Sequence, residues 1–475
     1  MANEQLLSIE TLNALWDNEL IPLLCDYIKI PNKSPLFDKN WKQHGYMDQA
    51  MQLIAEWVSH QTVKGMQHEV LQLPGRTPLL FIEIEGDCDD TVLLYGHMDK
   101  QPEMTGWENG LGPWRPVIKN DKLYGRGGAD DGYAIFSALT AIRLLQEQHQ
   151  KIPHCVIIIE GSEESGSCDL PFYLDHLHNR IGHPRLVITL DSDCGNYDQL
   201  WLTTSLRGIV GGTLRIDTQK EGVHSGLGSG VMPSCFSVLR EVLDRVEDSH
   251  SHDIKIAALH ADIPSIRKQQ NIDAAKALGA DLINAQPLTE GTKPIHCDNS
   301  ELKLNQTWRP SLSVTGMDGI PNLADAGNVR LPYIEVKLSF RIPPNTDPNV
   351  AVKALSEVLE KNPPHGAIIN FHVQDIGSGW EAPTEKQWLL DAGHKASHMY
   401  YQKPMMLSGG GGSIPFMGLL GKQYPEAQFF ITGVLGPKSN AHGPNEFLHI
   451  PYVKKLTGCV SVILAEAFKE FTKSP

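Results

Sequence analysis

The 475-residue chain has no Cys-x-x-Cys pair; its eight cysteines, at positions 25, 88, 155, 168, 194, 235, 297 and 459, are scattered. That argues against a thiolate metal knuckle or a dithiol redox motif. It points instead to reduced, mostly buried thiols in a chain of this size. No apolar run approaches the roughly 18 residues of a membrane span. The first residues, Met1-Ala2-Asn3-Glu4-Gln5, lack the basic and apolar regions of a signal peptide. Lys/Arg-rich runs are missing too, and the formal net charge is -15, which argues against nucleic acid as a partner. A cytoplasmic location is the simplest expectation. Repeats and low-complexity tracts are also absent, apart from the glycine loop Gly409-Gly410-Gly411-Gly412-Ser413.

What the chain does have is globular composition, 41% hydrophobic and 20% charged, at a length that calls for two or more domains. Short continuous apolar runs at 79–84, 91–95, 155–159 and 186–190 read as strands buried on both faces. Between the second and third, Ile135, Ala138, Leu139, Ile142 and Leu145 recur at helical spacing over residues 134–148. Asp130 and Asp131 suit the N-terminal end of that helix. The pattern predicts an α/β fold with a mainly parallel sheet covered by helices.

Between 207 and 376 the style changes. Alternating strands at 211–217, 334–341 and 368–373, with helices near 233–247 and 350–359, predict a small α+β unit with helices on one face of its sheet. Residues 250–330 read as polar and irregular. After 376 the first style returns, with a strand at 427–432 and a closing helix at 453–471. The expected division is therefore a domain made of 1–206 and 377–475, interrupted by an inserted unit, 207–376.

The chemistry-bearing residues gather at the ends of the apolar runs. Gly96-His97-Met98-Asp99 follows the second strand, and its His and Asp, two residues apart, point the same way. Gly125-Arg126-Gly127-Gly128-Ala129-Asp130-Asp131 is a glycine-dense turn before the helix; Asp130 there is either a helix cap or a carboxylate bridging two metals. Glu160-Gly161-Ser162-Glu163-Glu164 ends the third strand. Adjacent carboxylates repel unless they share a cation, so one suits a metal ligand and its neighbour a general base. Asp191 and Asp193 flank Ser192 after the fourth strand; either can ligate, and Asp191 is favoured because it directly ends the apolar run. His442, in Asn440-Ala441-His442-Gly443-Pro444-Asn445-Glu446, is a candidate late ligand. Mixed imidazole and carboxylate donors without thiolate suit Zn²⁺, and Mn²⁺ or Co²⁺ less specifically.

Taken with Tyr124 before the glycine turn, with Ser165-Gly166 and with Leu190-Asp191-Ser192, these motifs resemble the M20 family of metallopeptidases in order and spacing across nearly the whole chain. That family contains carnosinase-like and PepV-like dipeptidases. The resemblance implies a zinc-exopeptidase-like catalytic domain with an inserted lid or dimerisation domain, and two divalent ions, Zn²⁺ first. It places His97 and Asp191 on one metal, Glu164 and His442 on the other, and Asp130 between them, with Asp99 orienting His97 and a cis Asp130–Asp131 peptide. Glu163 becomes general base and acid for attack by metal-bound hydroxide on the peptide bond of a dipeptide or short peptide. His224, in Gly222-Val223-His224-Ser225-Gly226, is implied to reach the site, often from a partner subunit, and to polarise the scissile carbonyl. Arg341 would grip the substrate carboxylate, with Asn328, Gly412 and Ser413 as further contacts. A homodimer is expected, and neither membrane nor nucleic acid. The competing readings are an N-acyl amino acid amidohydrolase on the same fold and a non-catalytic binding protein.

Overall fold

The computed structural model describes residues 6–473. Its central sheet has six strands in the order Met66–Leu71, Leu79–Ile84, His154–Glu160, Thr91–His97, Leu186–Thr189, Gln428–Ile431. The first two pairings are antiparallel and the last three parallel. Alternation along Thr91–His97 divides the apolar side chains between two layers. Val92 and Leu94 join a core with Ile135, Leu139, Val460 and Ile463. Leu93 and Tyr95 join another with Leu174, Leu177, Phe416 and Leu420. The helices Ala134–Glu147 and Ile450–Phe471 therefore cover one face, and Leu170–Ile181 and Pro415–Gln423 the other. Because four neighbouring strands run the same way, their carboxyl ends lie along one edge, where an open α/β sheet leaves a crevice for a ligand. His97 and Glu160 are the last residues of two of these strands, and Asp191 lies just past a third.

A second sheet is antiparallel, in the order Ser311–Asp318, Tyr333–Ile342, Gly208–Asp217, Ile368–Gly377. Its core takes Val210, Leu214, Leu338, Phe340 and Phe371, and is covered by the helices Cys235–Asp244 and Pro348–Glu360, through Val238, Val242, Ala351 and Leu355. Every strand and helix expected within 207–376 is there, with ends shifted by a few residues.

The stretch 250–330 is not irregular. It contains helices Ser265–Leu278 and Asn299–Thr307 and the strand Ser311–Asp318. These helices carry no apolar stripe because the face they bury is polar. Arg267, 1% exposed, donates to Glu385 Oε1 at 2.5 Å and to the Ala382 carbonyl at 2.6 Å. Asn271 Oδ1 accepts from the Gly409 amide at 3.2 Å and from Thr307 Oγ1 at 3.0 Å. Ala274 and Leu278 join the first unit's core, so this helix packs against the sheet formed by Trp201–Leu206 and Met406–Gly410. The thiols are less buried than expected: Cys155, Cys194, Cys235 and Cys459 are buried, Cys168 and Cys297 exposed, and all eight are free.

One close approach fixes the edge where the ligand candidates sit. A Cβ on Gly433 would lie 2.0 Å from the Ser192 carbonyl oxygen and 2.4 Å from the Ser192 nitrogen. Backbone cannot yield as a flexible side chain does, so Gly433→Ala is expected to cost about 3 kcal/mol or more and to push the Asp191–Ser192 turn off its neighbour. Thermal unfolding of the variant checks this; an unchanged melting temperature contradicts it.

Candidate metal centre

His97 is fully enclosed at the end of its strand. Its backbone N–H donates to Asp131 Oδ2 at 3.3 Å. Nδ1 lies 3.1 Å from the Asp99 carbonyl and 3.6 Å from Asp99 Oδ1. Donation from Nδ1–H leaves the Nε2 lone pair free, as a metal ligand requires. Nε2 faces Asp130 Oδ1 at 3.3 Å and Asp191 Oδ2 at 3.7 Å.

The other oxygen of Asp130, Oδ2, lies 3.0 Å from His442 Nε2, which is 3.4 Å from Glu164 Oε2. The candidate ligands thus form two triads, His97-Asp130-Asp191 and Asp130-Glu164-His442, each with donor atoms close enough to hold one ion. Asp130 belongs to both, one oxygen towards each. Asp193, the alternative to Asp191, belongs to neither.

Asp99 has a structural task beyond the imidazole. Its Oδ1 and Oδ2 accept from the backbone N–H groups of Glu163 and Glu164, both at 3.0 Å. One carboxylate thereby ties the end of the His97 strand to the turn carrying both glutamates. The aspartates of the glycine turn do not cap the following helix, whose N-terminus has no side-chain cap. Gly128–Gly132 forms a wide turn with a cis Asp130–Asp131 peptide, which turns Asp130 to the triads and Asp131 to the His97 amide.

The residues present fit a pair of cations. Burial, with repulsion from neighbouring carboxylates, pushes Glu164 and Glu163 well above the usual carboxylate range and Asp191 up to about 7. Burial would raise Asp130 as well, but hydrogen bonds from His442 and His97 bring it below its ordinary value. Glu164 Oε1 is buried without any hydrogen-bond partner. An orphaned buried oxygen among crowded anions is what a divalent ion compensates. The described residues provide two such sites, with nitrogen and oxygen donors and no sulfur.

Glu163 stands outside both triads. It lines a cleft of about 570 Å³ together with Gln101, Asp130, Glu164, Asp191 and His442. The same cleft is also lined by Gly412, Ser413, Ile209 and Asp375. Arg341 reaches this lining through Ser413, donating to its Oγ at 3.4 Å. His224 and Asn328 sit together elsewhere: the Ser225 amide donates to the Asn328 carbonyl at 2.8 Å, both residues are exposed, and neither lines this cleft.

Several supporting residues carried no expected role. Arg126 donates to Glu446 Oε2 at 2.5 Å and to the carbonyls of His442 and Gly443 at 3.1 and 2.8 Å, and Glu446 Oε1 accepts from the Gly127 amide at 2.9 Å. This buried pair fastens the His442 loop to the glycine turn that carries Asp130. Both residues lie inside the quoted motifs, so their presence there was the available signal. Tyr27 and Asn32 donate to the Met98 carbonyl at 2.5 and 2.6 Å; nothing local marked them.

Paired carboxylate–imidazole triads at the carboxyl edge of a mainly parallel sheet define a metal-dependent hydrolase. Residues 93–466 match Peptidase family M20/M25/M40, and the chain belongs to that family. It is 26% identical over 363 residues to the cysteinylglycine-S-conjugate dipeptidase of Corynebacterium striatum, an alignment covering 75% of this chain and 76% of that protein. It is 28% identical over 299 residues to the Beta-Ala-His dipeptidase of Mus musculus, covering 60% of this chain and 58% of the mouse protein. Its fold is similar to that of human carnosine dipeptidase 1, with a TM-score of 0.76 at 19% identity over 97% of this chain and 98% of the other.

The shared carboxylate makes a specific stoichiometry prediction. After metal loading, His442→Ala is expected to lose one of two bound ions, while Asp130→Ala loses tight binding of both. Elemental analysis after gel filtration checks this; full occupancy in Asp130→Ala would contradict the bridging geometry.

Proposed function

We propose that this protein is a dipeptidase, cleaving the single peptide bond of a dipeptide or very short peptide. The observation that carries the reading is Glu163, a carboxylate in neither triad that faces the same cleft as both. His97 and Asp191 are assigned to one ion, Glu164 and His442 to the other, and Asp130 to both. Held by these residues, a pair of divalent ions, Zn²⁺ by donor chemistry, would supply Lewis acidity towards the scissile carbonyl and would lower the pKa of bound water. Glu163 takes the proton from the attacking water and returns it to the leaving amine. Asp99 keeps His97 and the Glu163–Glu164 turn in register. Arg341, with Ser413 and the Gly412 backbone, grips the substrate carboxylate in the bidentate manner that Lys fills poorly.

His224 and Asn328 are assigned to the site of a second copy of the chain, and residues 207–376 to a unit that serves as lid and dimer interface. The strand Ser311–Asp318 supports this: it pairs on one edge only, with Tyr333–Ile342, and Val314 and Met317 on it are exposed. Leu323 and Val231, 97% and 81% exposed, add further exposed apolar side chains within residues 207–376. A one-sided strand with exposed apolar residues is a ready surface for pairing. A cytoplasmic location is supported by the eight free thiols. No helix among the described residues is long and apolar enough to cross a membrane.

Three experiments test these assignments. Glu163→Gln is expected to lower kcat on a dipeptide by about 10²–10⁴-fold while two metals stay bound; near-normal turnover sinks the assignment. Parallel assays on N-acetyl and N-succinyl amino acids separate dipeptidase from deacylase. In analytical ultracentrifugation the wild type is expected to sediment as a dimer and Met317→Lys as a monomer. If the partner supplies His224, the monomeric variant loses activity together with the dimer.

A further inference from the structure

The cleft that the triads line carries a further charge that the reaction does not use, Asp375. Asp375 lies on the strand Ile368–Gly377, where Ile369 and Phe371 turn into the helix-covered core. Strict alternation would send Asp375 into that core as well. The register shifts between Val373 and Asp375, with Gln374 as the extra residue of a β-bulge, and beyond it Asp375 pairs with Gly211. Gly211 and Ile209 face away from the core, since Val210 and Leu214 occupy it. On the other side of that central strand, Arg341 pairs with Ile209 and Ser339 with Gly211. The bulge therefore re-aims Asp375 onto the face that bears Arg341. There it lines the cleft with Ile209, Ser413 and Ile414.

Gly211 makes this placement possible. A Cβ there would lie 3.0 Å from Asp375 Oδ2, so the carboxylate leans over the central strand in the space that the missing side chain leaves. Among the described residues no cation and no hydrogen-bond donor engages the Asp375 carboxylate. Arg341 has Ser413 Oγ as its polar contact and no carboxylate partner. Two opposite charges thus share one face of one sheet without neutralising each other. They stand on strands separated by a single strand, about 10 Å apart backbone to backbone.

We propose that Asp375 makes the cleft selective for dipeptides whose C-terminal residue carries a long cationic side chain, lysine or arginine. The inference rests on reading Arg341 as the clamp on the substrate's α-carboxylate. With that carboxylate on Arg341, the side chain of the same residue crosses the central strand. Its aliphatic stem covers Ile209, and its charged end meets Asp375. An acidic side chain on the same path meets a like charge, and an apolar one leaves Asp375 unpaired.

The test is binding, measured by calorimetry on metal-loaded Glu163→Gln protein so that peptides are not consumed. Ala-Arg and Ala-Lys are expected to bind about ten-fold tighter than Ala-norleucine, the worth of one charge-assisted hydrogen bond. Adding Asp375→Asn closes that gap, and adding Asp375→Lys reverses the order in favour of Ala-Glu, a result that misfolding cannot produce. Equal affinity for Ala-Arg and Ala-norleucine, a gap that survives Asp375→Asn, or no binding by any of these peptides overturns the inference. Turnover of the same peptides by the wild type is scored separately. Selective binding without turnover counts against the dipeptidase reading and leaves the role of Asp375 standing.

Discussion

Mutual repulsion among buried carboxylates is the constraint around which this structure is arranged. Asp130, Glu163, Glu164 and Asp191 converge on one cleft edge with only two imidazoles among them. Two like charges 4 Å apart cost about 4 kcal/mol even at an effective dielectric of 20. Burial first, and this repulsion after it, displaces Asp191, Glu163 and Glu164 upward towards their protonated forms. A scaffold that holds such a cluster open must resist its collapse from several directions. Asp99 does so by gripping two successive backbone amides. The Arg126–Glu446 pair does so by fastening the one ligand that arrives late in the chain. Replacing that ion pair by apolar residues could preserve the packing, yet it would release the His442 carbonyl and the Gly127 amide together, so its value lies in geometry more than in net stability.

The wall that faces the metal centre is held by the same kind of means. The glycine loop after Met406–Gly410 has no side chains of its own to anchor it through Gly412. Its position is set from outside: Asn271 accepts from the Gly409 amide, and Arg207 donates to the Gly411 carbonyl at 3.1 Å and to the carbonyls of Asn305 and Arg309, both at 3.1 Å. The helices of residues 265–307 therefore serve the cleft by bracing the loop that ends in Ser413. This gives the polar, unpatterned stretch a physical purpose: its buried face is a set of hydrogen-bonding groups matched to backbone.

That difference explains what could be read in the sequence. Five of the six central strands were legible because they are continuous apolar runs, whereas Met66–Leu71 was missed because it is a partly exposed edge strand. His97, Glu164 and Asp191 stood out as acidic or imidazole residues at or just past the ends of apolar runs, and Asp130 and His442, which lie in glycine-containing turns, through the motif resemblance. The helix of Arg267 and Asn271 was hidden because apolar periodicity is the primary helical signal in a single sequence, and several of its buried residues are polar. Arg126 and Glu446 lay in plain view inside recognised motifs, but a pair 320 residues apart has no local signature. Asp375 was hidden for a third reason. Its neighbours alternate faithfully, and one bulged residue reverses the face of everything after it, so reading by twos gives the wrong side.

The charge layout also orders the substrate. The triads form an anionic edge that cations convert into an electrophilic one, whereas burial already pushes the Arg341 guanidinium below its ordinary range without any carboxylate to offset the cost. On the proposed reading, an incoming carboxylate supplies that missing partner. A dipeptide has one carboxylate and one scissile carbonyl at a fixed separation, so pairing the first with Arg341 fixes which carbonyl faces the metals. Reversing the peptide would bring its ammonium to Arg341, a like charge, and leave the guanidinium without a carboxylate. Direction of binding then follows from the sign of the charge on Arg341.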